Sequence, residues 1–304
     1  MRWLKYRPLL AATAILAMVA TAQADEFTFD YQKNITVSEP AELDLTAVKG
    51  RIVITGTPQD KIIIEAVKTV PASSREEAEE VADHIEIKVR TSGSKVRVET
   101  NYLKMINRSS SFWSKLLGTG SSNSYGAVDY KISVPSRTSV SIMSTDAQIE
   151  LSSLEGEMLI ENSTGSTRGE YLFGQVTLIQ PSGEIDLNWI EGDIRLKSNN
   201  SSISIIQVRG AIDLTTAAGV VNIQTELDSP KDCFVETTSG AIKFSVPTAA
   251  SGQLDISTDS GEIRTELPVT IKSVTRKHLV GEFGDGGPTI SLSSITGDVD
   301  VNLY

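Results

Sequence analysis

The chain has 304 residues, 39% of them hydrophobic, with 28 Lys or Arg against 39 Asp or Glu and a single cysteine. A formal charge of −11 argues against a nucleic-acid binder, which needs a basic face, and against simple adsorption to anionic lipid. One cysteine excludes an internal disulfide, so stability has to come from core burial and the backbone ladder.

Arg2, Lys5 and Arg7 form a basic start, Leu9 to Ala20 an apolar run of 12 residues, and Ala22-Gln23-Ala24 a small-residue cleavage site. This is the pattern of a secretory signal peptide over 1–24, with Asp25 opening the mature chain. The apolar run is too short to span a bilayer, and no later stretch approaches the roughly 20 apolar residues that spanning requires. No cysteine follows it for a lipid anchor, and Leu267-Pro268-Val269-Thr270 lacks the glycine of a wall-sorting signal. Removing three positive charges takes the formal charge to −14. The mature chain is expected in the periplasm or at the cell surface or beyond, with no transmembrane segment.

Residues 25–104 read as first rungs plus a small α+β cap. Phe27-Thr28-Phe29-Asp30-Tyr31 alternates like a strand. Aliphatics stand two and four places after Ala41 and after Gly50, nine residues apart, and Ile62, Ile64 and Ala66 extend the pattern. Pro71 to His84 predicts a short helix with a capping box from Ser73 and Glu76 or Ser74 and Glu77, and a stripe of Ala78, Val81 and Ala82. Ile85, Ile87 and Val89 and then Val96 and Val98 flank Ser92-Gly93-Ser94 as a hairpin. Such a unit fits a cap over the first open edge of a repeat stack.

Residues 105–128 are Ser- and Gly-rich around Phe112-Trp113-Ser114-Lys115-Leu116-Leu117. A flexible loop of this length is expected. Phe112, Trp113, Leu116 and Leu117 have the spacing of a short amphipathic turn and are the candidate partner contacts.

From residue 129 to 304 a glycine clock runs. Gly156, Gly174, Gly192 and Gly210 fall 18 apart, and Ala147, Gly165, Gly183, Ser201 and Gly219 fall midway between them. After each small residue come inward pairs such as Ile149/Leu151, Ile185/Leu187, Ile194/Leu196 and Ile203/Ile205; only Thr167/Gly169 is irregular. A third apolar residue stands seven places after every second small residue, at Leu154, Leu172, Ile190 and Val208, so the true period is 18 with unlike halves. Gly219, Gly240 and Gly261 then stand 21 apart, and Ile290/Leu292 and Val299/Val301 keep the pairs. Self-similarity of this kind marks a solenoid. The expected fold is all-β: a single-stranded parallel β-helix of about 18 residues per turn, right-handed by the chirality of parallel crossovers.

Outward positions stack as well. Glu150, Arg168 and Asp186 should form one column of alternating charge, a solvated ion ladder contributing little. Carbohydrate cleavage needs clustered carboxylates, often with Ca²⁺, and here only Glu184 and Asp186 stand close. Calcium-binding toxin repeats need Gly-Gly-x-Gly-x-Asp in every unit, and Gly284-Asp285-Gly286-Gly287 is one isolated turn. His84 and His278 lack companions for zinc or a triad. Cys233 lies in an alternating apolar run as a small buried hydrophobe. The alternating end Val299 to Tyr304 fits a last rung better than a membrane-barrel strand. No catalytic residue, cofactor or metal site is expected.

The tetrads Ser182-Gly183-Glu184-Ile185, Ser260-Gly261-Glu262-Ile263 and Thr296-Gly297-Asp298-Val299, with Val48-Lys49-Gly50-Arg51-Ile52-Val53-Ile54, carry a resemblance. Over roughly Leu43 to Leu303 the chain resembles the bacterial adhesin-like family of β-strand repeat proteins, a domain of unknown function. That resemblance implies an exported, noncatalytic β-solenoid and supplies no binding residues. The expected role is an adhesin-like envelope binding or scaffold protein whose partner is an envelope protein or a glycan. The alternatives are a polysaccharide-binding or polysaccharide-cleaving β-helix, and a partner in envelope-stress regulation.

Overall fold

A computed structural model describes residues 25–103, 126–228 and 230–304. The signal segment and the four candidate contacts Phe112, Trp113, Leu116 and Leu117 lie outside the described residues. The chain is all-β, with one short helix among the described residues.

The N-terminal elements are β1 (Asp25–Thr36), β2 (Ala41–Thr46), β3 (Lys49–Thr57), β4 (Lys61–Ala72), α1 (Arg75–Asp83), β5 (Ile85–Ser92), β6 (Lys95–Tyr102) and β7 (Ala127–Pro135). The central body is β8 (Thr138–Glu155), β9 (Met158–Phe173), β10 (Val176–Ile179), β11 (Ser182–Glu191), β12 (Ile194–Lys197), β13 (Asn200–Arg209), β14 (Ile212–Thr216) and β15 (Val221–Thr225). The C-terminal elements are β16 (Cys233–Thr237), β17 (Ile242–Val246), β18 (Gly252–Thr258), β19 (Ile263–Thr265), β20 (Thr270–Val274), β21 (His278–Phe283), β22 (Thr289–Ser294) and β23 (Val299–Leu303).

Two parallel ladders run through the central body, joined by the long strands β8 and β9. In the first, the start of β8 pairs with the start of β9, then β10, β12, β14 and β16 follow. In the second, the end of β8 pairs with the end of β9, then β11, β13, β15 and β17. Ile185 sits in register with Ile203, and Ile194 with Ile212, each 18 residues on. The aliphatic pairs of both ladders face one shared core and are buried throughout. At the irregular pair, Thr167 is buried and Gly169 leaves room for its neighbours; a Cβ there would lie 2.7 Å from Leu172 Cδ1 and 3.0 Å from Leu187 Cδ2.

At both ends, stacking order departs from chain order. The rung of β2 and β3 lies between β6 and β7 on one side and β8 on the other. Symmetrically, β22 lies between β16 and β18, and β23 between β17 and β19. The glycine column therefore reads Gly219, Gly240, Gly297, Gly261, each approaching the carbonyl of a neighbour, so the 21-residue step from Gly219 to Gly240 joins successive rungs, while the step from Gly240 to Gly261 skips the rung of Gly297. Ile62, Ile64 and Ala66 do not continue the parallel stack either: β4 is antiparallel to both β1 and β7. Further antiparallel pairs, β5 with β6 and β20 with β21 on β18, stand at the ends of the first ladder.

The helix forms where the capping signal lies, although Pro71 and Ala72 still belong to β4. Ser74 is its N-cap, accepting from the Glu77 amide at 3.2 Å, while the Glu77 carboxylate accepts from Ser73 rather than closing the box on Ser74. Ala78, Val81 and Ala82 are its buried face. Cys233 is fully buried, and burial pushes its thiol up to about 11, which leaves it protonated and inert at neutral pH.

A buried polar column lines the corner beside the small residues Ala147, Gly165, Gly240, Gly261 and Gly297. Asn162 donates from Nδ2 to the Ala147 carbonyl at 3.0 Å and accepts from Ser144 Oγ at 2.8 Å. Thr237, Thr258 and Ser294 hydroxyls accept the amides of Gly240, Gly261 and Gly297, three residues on, at 2.9, 3.0 and 2.8 Å. Gln180 is fully buried; it accepts from Thr167 Oγ1 at 2.7 Å and donates to the carbonyls of Gly165 and Glu184 at 3.3 and 3.2 Å. A chain that must turn inside a core has to satisfy its turning backbone with such groups. Gln180→Leu should strand the Thr167 hydroxyl and two carbonyls, lowering stability by about 2 kcal/mol in urea unfolding; an unchanged midpoint would show that the corner does not need them.

Candidate functional site

The outward face of the second ladder carries the expected charge column. Arg168 Nε lies 3.4 Å from Asp186 Oδ2. Arg51 Nη2 donates to both oxygens of Glu150, at 2.8 and 3.0 Å, and its amide donates to Asp129 Oδ1 at 2.7 Å. The column continues in register through Ser204, Asn222, Lys243 and Asp300 to Arg264. There Arg264 gathers Glu262, Asp298 and Asp300, the last two at 3.3 and 3.2 Å. The Glu262 amide first, and then Arg264, hold the Asp298 carboxyl below its ordinary range. Each exposed pair of this kind contributes little to stability.

Where β1, β4 and β7 meet β3, this face hollows into a cleft of about 740 Å³ lined by Tyr31, Arg51, Val53, Glu65, Val67 and Lys131. A second hollow of about 640 Å³ shares Arg51 and Asp129 and runs on to Asp146, Gln148, Ser166 and Glu184. Glu184 thus lines a groove, while Asp186 is paired with Arg168. Among the described residues, no three His, Cys, Asp or Glu side chains are grouped as metal ligands. His84 Nδ1 lies 2.7 Å from the Glu80 carbonyl and His278 Nε2 lies 2.8 Å from Asp255.

A second feature stands at the end of each of three successive rungs of the same ladder. Ser153, Tyr171 and Trp189 have φ of 58°, 55° and 57°, in the left-handed region. Each is an extra residue that reverses the in–out alternation, which is why Leu154, Leu172 and Ile190 point inward seven places after the small residue rather than six. The next rung has no such step: Gln207 turns in and is buried, bonded to the Gly192 and Ala211 carbonyls at 2.8 and 3.2 Å, and Val208 is left half-buried. The fourth member of the apolar column thus departs from the pattern of the other three.

Left-handed backbone suits glycine or asparagine; a bulky residue there costs roughly 1–3 kcal/mol. Two of the three positions nevertheless carry large aromatics, and both are turned to solvent: Tyr171 is 52% and Trp189 48% exposed. Their ring centroids are 6.3 Å apart with the planes tilted by 46°. Phe173, 38% exposed, follows two residues on, in register between Glu155 and Glu191. Glu170 and Asn188, the exposed pair just before the two aromatics, are in register with each other, and Glu191 is paired to Arg209 at 2.7 Å. Sequence reasoning passed over these aromatics. Their signal was there: a bulky ring in the slot that precedes two of the apolar residues at the seventh place, Leu172 and Ile190.

A family model described as Toastrack DUF4097 matches residues 40–302. A search of curated proteins finds no match. Among solved structures, the chain is similar to a candidate adhesin from Bacteroides fragilis, at 13% identity over 92% of this chain and 97% of that one, with a TM-score of 0.31. A candidate adhesin from Parabacteroides merdae aligns at 13% identity over 90% and 95%, TM-score 0.32. A candidate lipid binding protein from Parabacteroides distasonis aligns at 13% over 90% and 96%, TM-score 0.30.

Proposed function

The chain belongs to the Toastrack DUF4097 family, and on that premise we propose that it is a noncatalytic, exported cell-envelope protein that binds or scaffolds a partner. In this reading residues 1–24 are a cleaved signal peptide, and the mature chain works in the periplasm or at the surface. Residues 25–104 supply the first rungs and a helix-and-hairpin cap, residues 129–304 continue them as a right-handed single-stranded β-helix of about 18 residues per turn, and the loop 105–128 touches the partner through Phe112, Trp113, Leu116 and Leu117.

One observation carries the reading: the in-register stack spends its inward positions on aliphatics and aligns its outward positions in a column where Glu150, Asp186 and Asp300 pair with arginine. Such a body supplies a stiff surface rather than a reacting group. The experiment is co-sedimentation of the mature chain with isolated cell envelopes, with a reducing-end assay on the same material. Retention without release of reducing ends is the expected result. Absence of retention, or turnover of any polymer, would overturn it. Deleting 108–124 should leave the urea midpoint unchanged and abolish retention; retention equal to that of the intact chain would remove the loop from the reading.

A further inference from the structure

We propose that Tyr171, Trp189 and Phe173 form a carbohydrate-binding platform that stacks on the apolar faces of sugar rings in a neutral polysaccharide. This rests on the reading of the chain as a noncatalytic envelope binder and names the ligand class of one surface. The first argument is strain. Two bulky aromatics occupy left-handed positions that asparagine or glycine would hold more comfortably, and neither ring enters the core. Folding does not account for the choice of residue, and strained, exposed positions of this kind concentrate at binding sites.

The second argument is size. A fully buried aromatic contributes 150–250 Å², so three half-exposed rings offer about 300 Å² together. A stable protein interface needs about 800 Å² from each partner, so this corner is too small for one. It matches one or two sugar rings. The third is chemistry. A sugar presents an apolar C–H face ringed by hydroxyls, and the exposed, in-register residues just before the two rings, Glu170 and Asn188, can accept from and donate to hydroxyls. The fourth is charge. Glu155, Glu170 and Glu191 flank the rings, and the arginines beside them are already engaged, Arg137 by Glu155 at 3.7 Å and Arg209 by Glu191 at 2.7 Å, which leaves the charge of Glu170. An anionic ligand would be repelled, and a neutral one would not. Tyr171 and Trp189 come from adjacent rungs, so the glycan would lie across the strands.

The test is isothermal titration calorimetry of the mature chain with cellohexaose, chitohexaose and maltohexaose, and with a polygalacturonate oligomer as the anionic control. At least one neutral hexaose should bind with Kd of about 10 μM to 1 mM, and polygalacturonate more weakly. Tyr171→Asn and Trp189→Asn should each weaken binding by about tenfold or more, while their urea midpoints stay level or rise because asparagine tolerates the left-handed backbone. Failure of all three neutral hexaoses to bind, or binding that survives both substitutions, would overturn the proposal. So would a fall in both midpoints with unchanged affinity, which would make the rings structural. Envelope co-sedimentation of the same preparations keeps the two readings apart. An intact chain that is retained yet binds no hexaose defeats the glycan platform alone. A chain that is not retained defeats the envelope role, whatever the calorimetry gives.

Discussion

Ile194→Asp is expected to split the stack at mid-length. Ile194 is fully buried, in register with Val176 before it and Ile212 after it. Aspartate there loses the aliphatic contacts and leaves a carboxyl facing two aliphatic neighbours. The lost burial and the unpaired polar group together should cost about 4 kcal/mol or more. That is a large part of the 5–15 kcal/mol that typically holds a domain. Because each rung meets only its neighbours, the damage should appear as a broadened or two-step urea transition in circular dichroism rather than as a uniform shift.

The neighbouring substitution Asp193→Asn is the control. Asp193 Oδ1 accepts the Ala211 amide at 3.0 Å, and its carboxylate pairs with Lys231 at 2.8 Å, the first cause of its lowered pKa. An amide oxygen still accepts from Ala211, so only an exposed ion pair is lost, about 1 kcal/mol or less. Equal damage from the two substitutions would refute the assignment of inward and outward positions.

Gly183→Ala should be nearly as harmful, although it adds one methyl group. Gly183 has φ of +120°, and a Cβ there would stand 1.8 Å from the Gly165 carbonyl oxygen. That oxygen cannot step aside cheaply, because Gly165 itself packs against the Ala147 carbonyl of the rung before. An L-residue would need both a disfavoured backbone and a displaced rung, and a loss of about 3–5 kcal/mol is expected. Gly93→Ala is the comparison. Its φ of +62° is also left-handed, but nothing lies within 4 Å, so the cost should be about 1–2 kcal/mol. If urea unfolding shows the two variants equally stable, close approach between rungs is not what the small-residue column serves.

Much of this was legible in the chain. The eighteen-residue recurrence of Ala147, Gly165 and Gly183 predicted corners, and Ile185 over Ile203 predicted the register. Both hold because alternation within a strand is a local property: the side chains on either face follow from residue parity alone. The helix at Arg75–Asp83 and the hairpin at Gly93 were legible for the same reason, through caps and turn residues. The charge column was legible because outward residues inherit the register of the inward ones. The aromatic corner was not, because a single extra left-handed residue looks like an ordinary member of the repeat until its neighbours are seen to switch faces.

By itself, then, the sequence determined which residues point inward, where the chain turns and how far apart stacking partners lie in the central body. Only the tertiary structure decided the order of the end rungs, with Leu43 between Val96 and Val140, and Ile290 between Cys233 and Leu254. The physical reason is that the rungs are nearly interchangeable. Each offers the same pair of aliphatics and the same row of amides and carbonyls, so any rung can dock on any other at similar local gain. The choice falls to the connections that must close around them and to the antiparallel strands at the ends, which no short stretch of sequence contains.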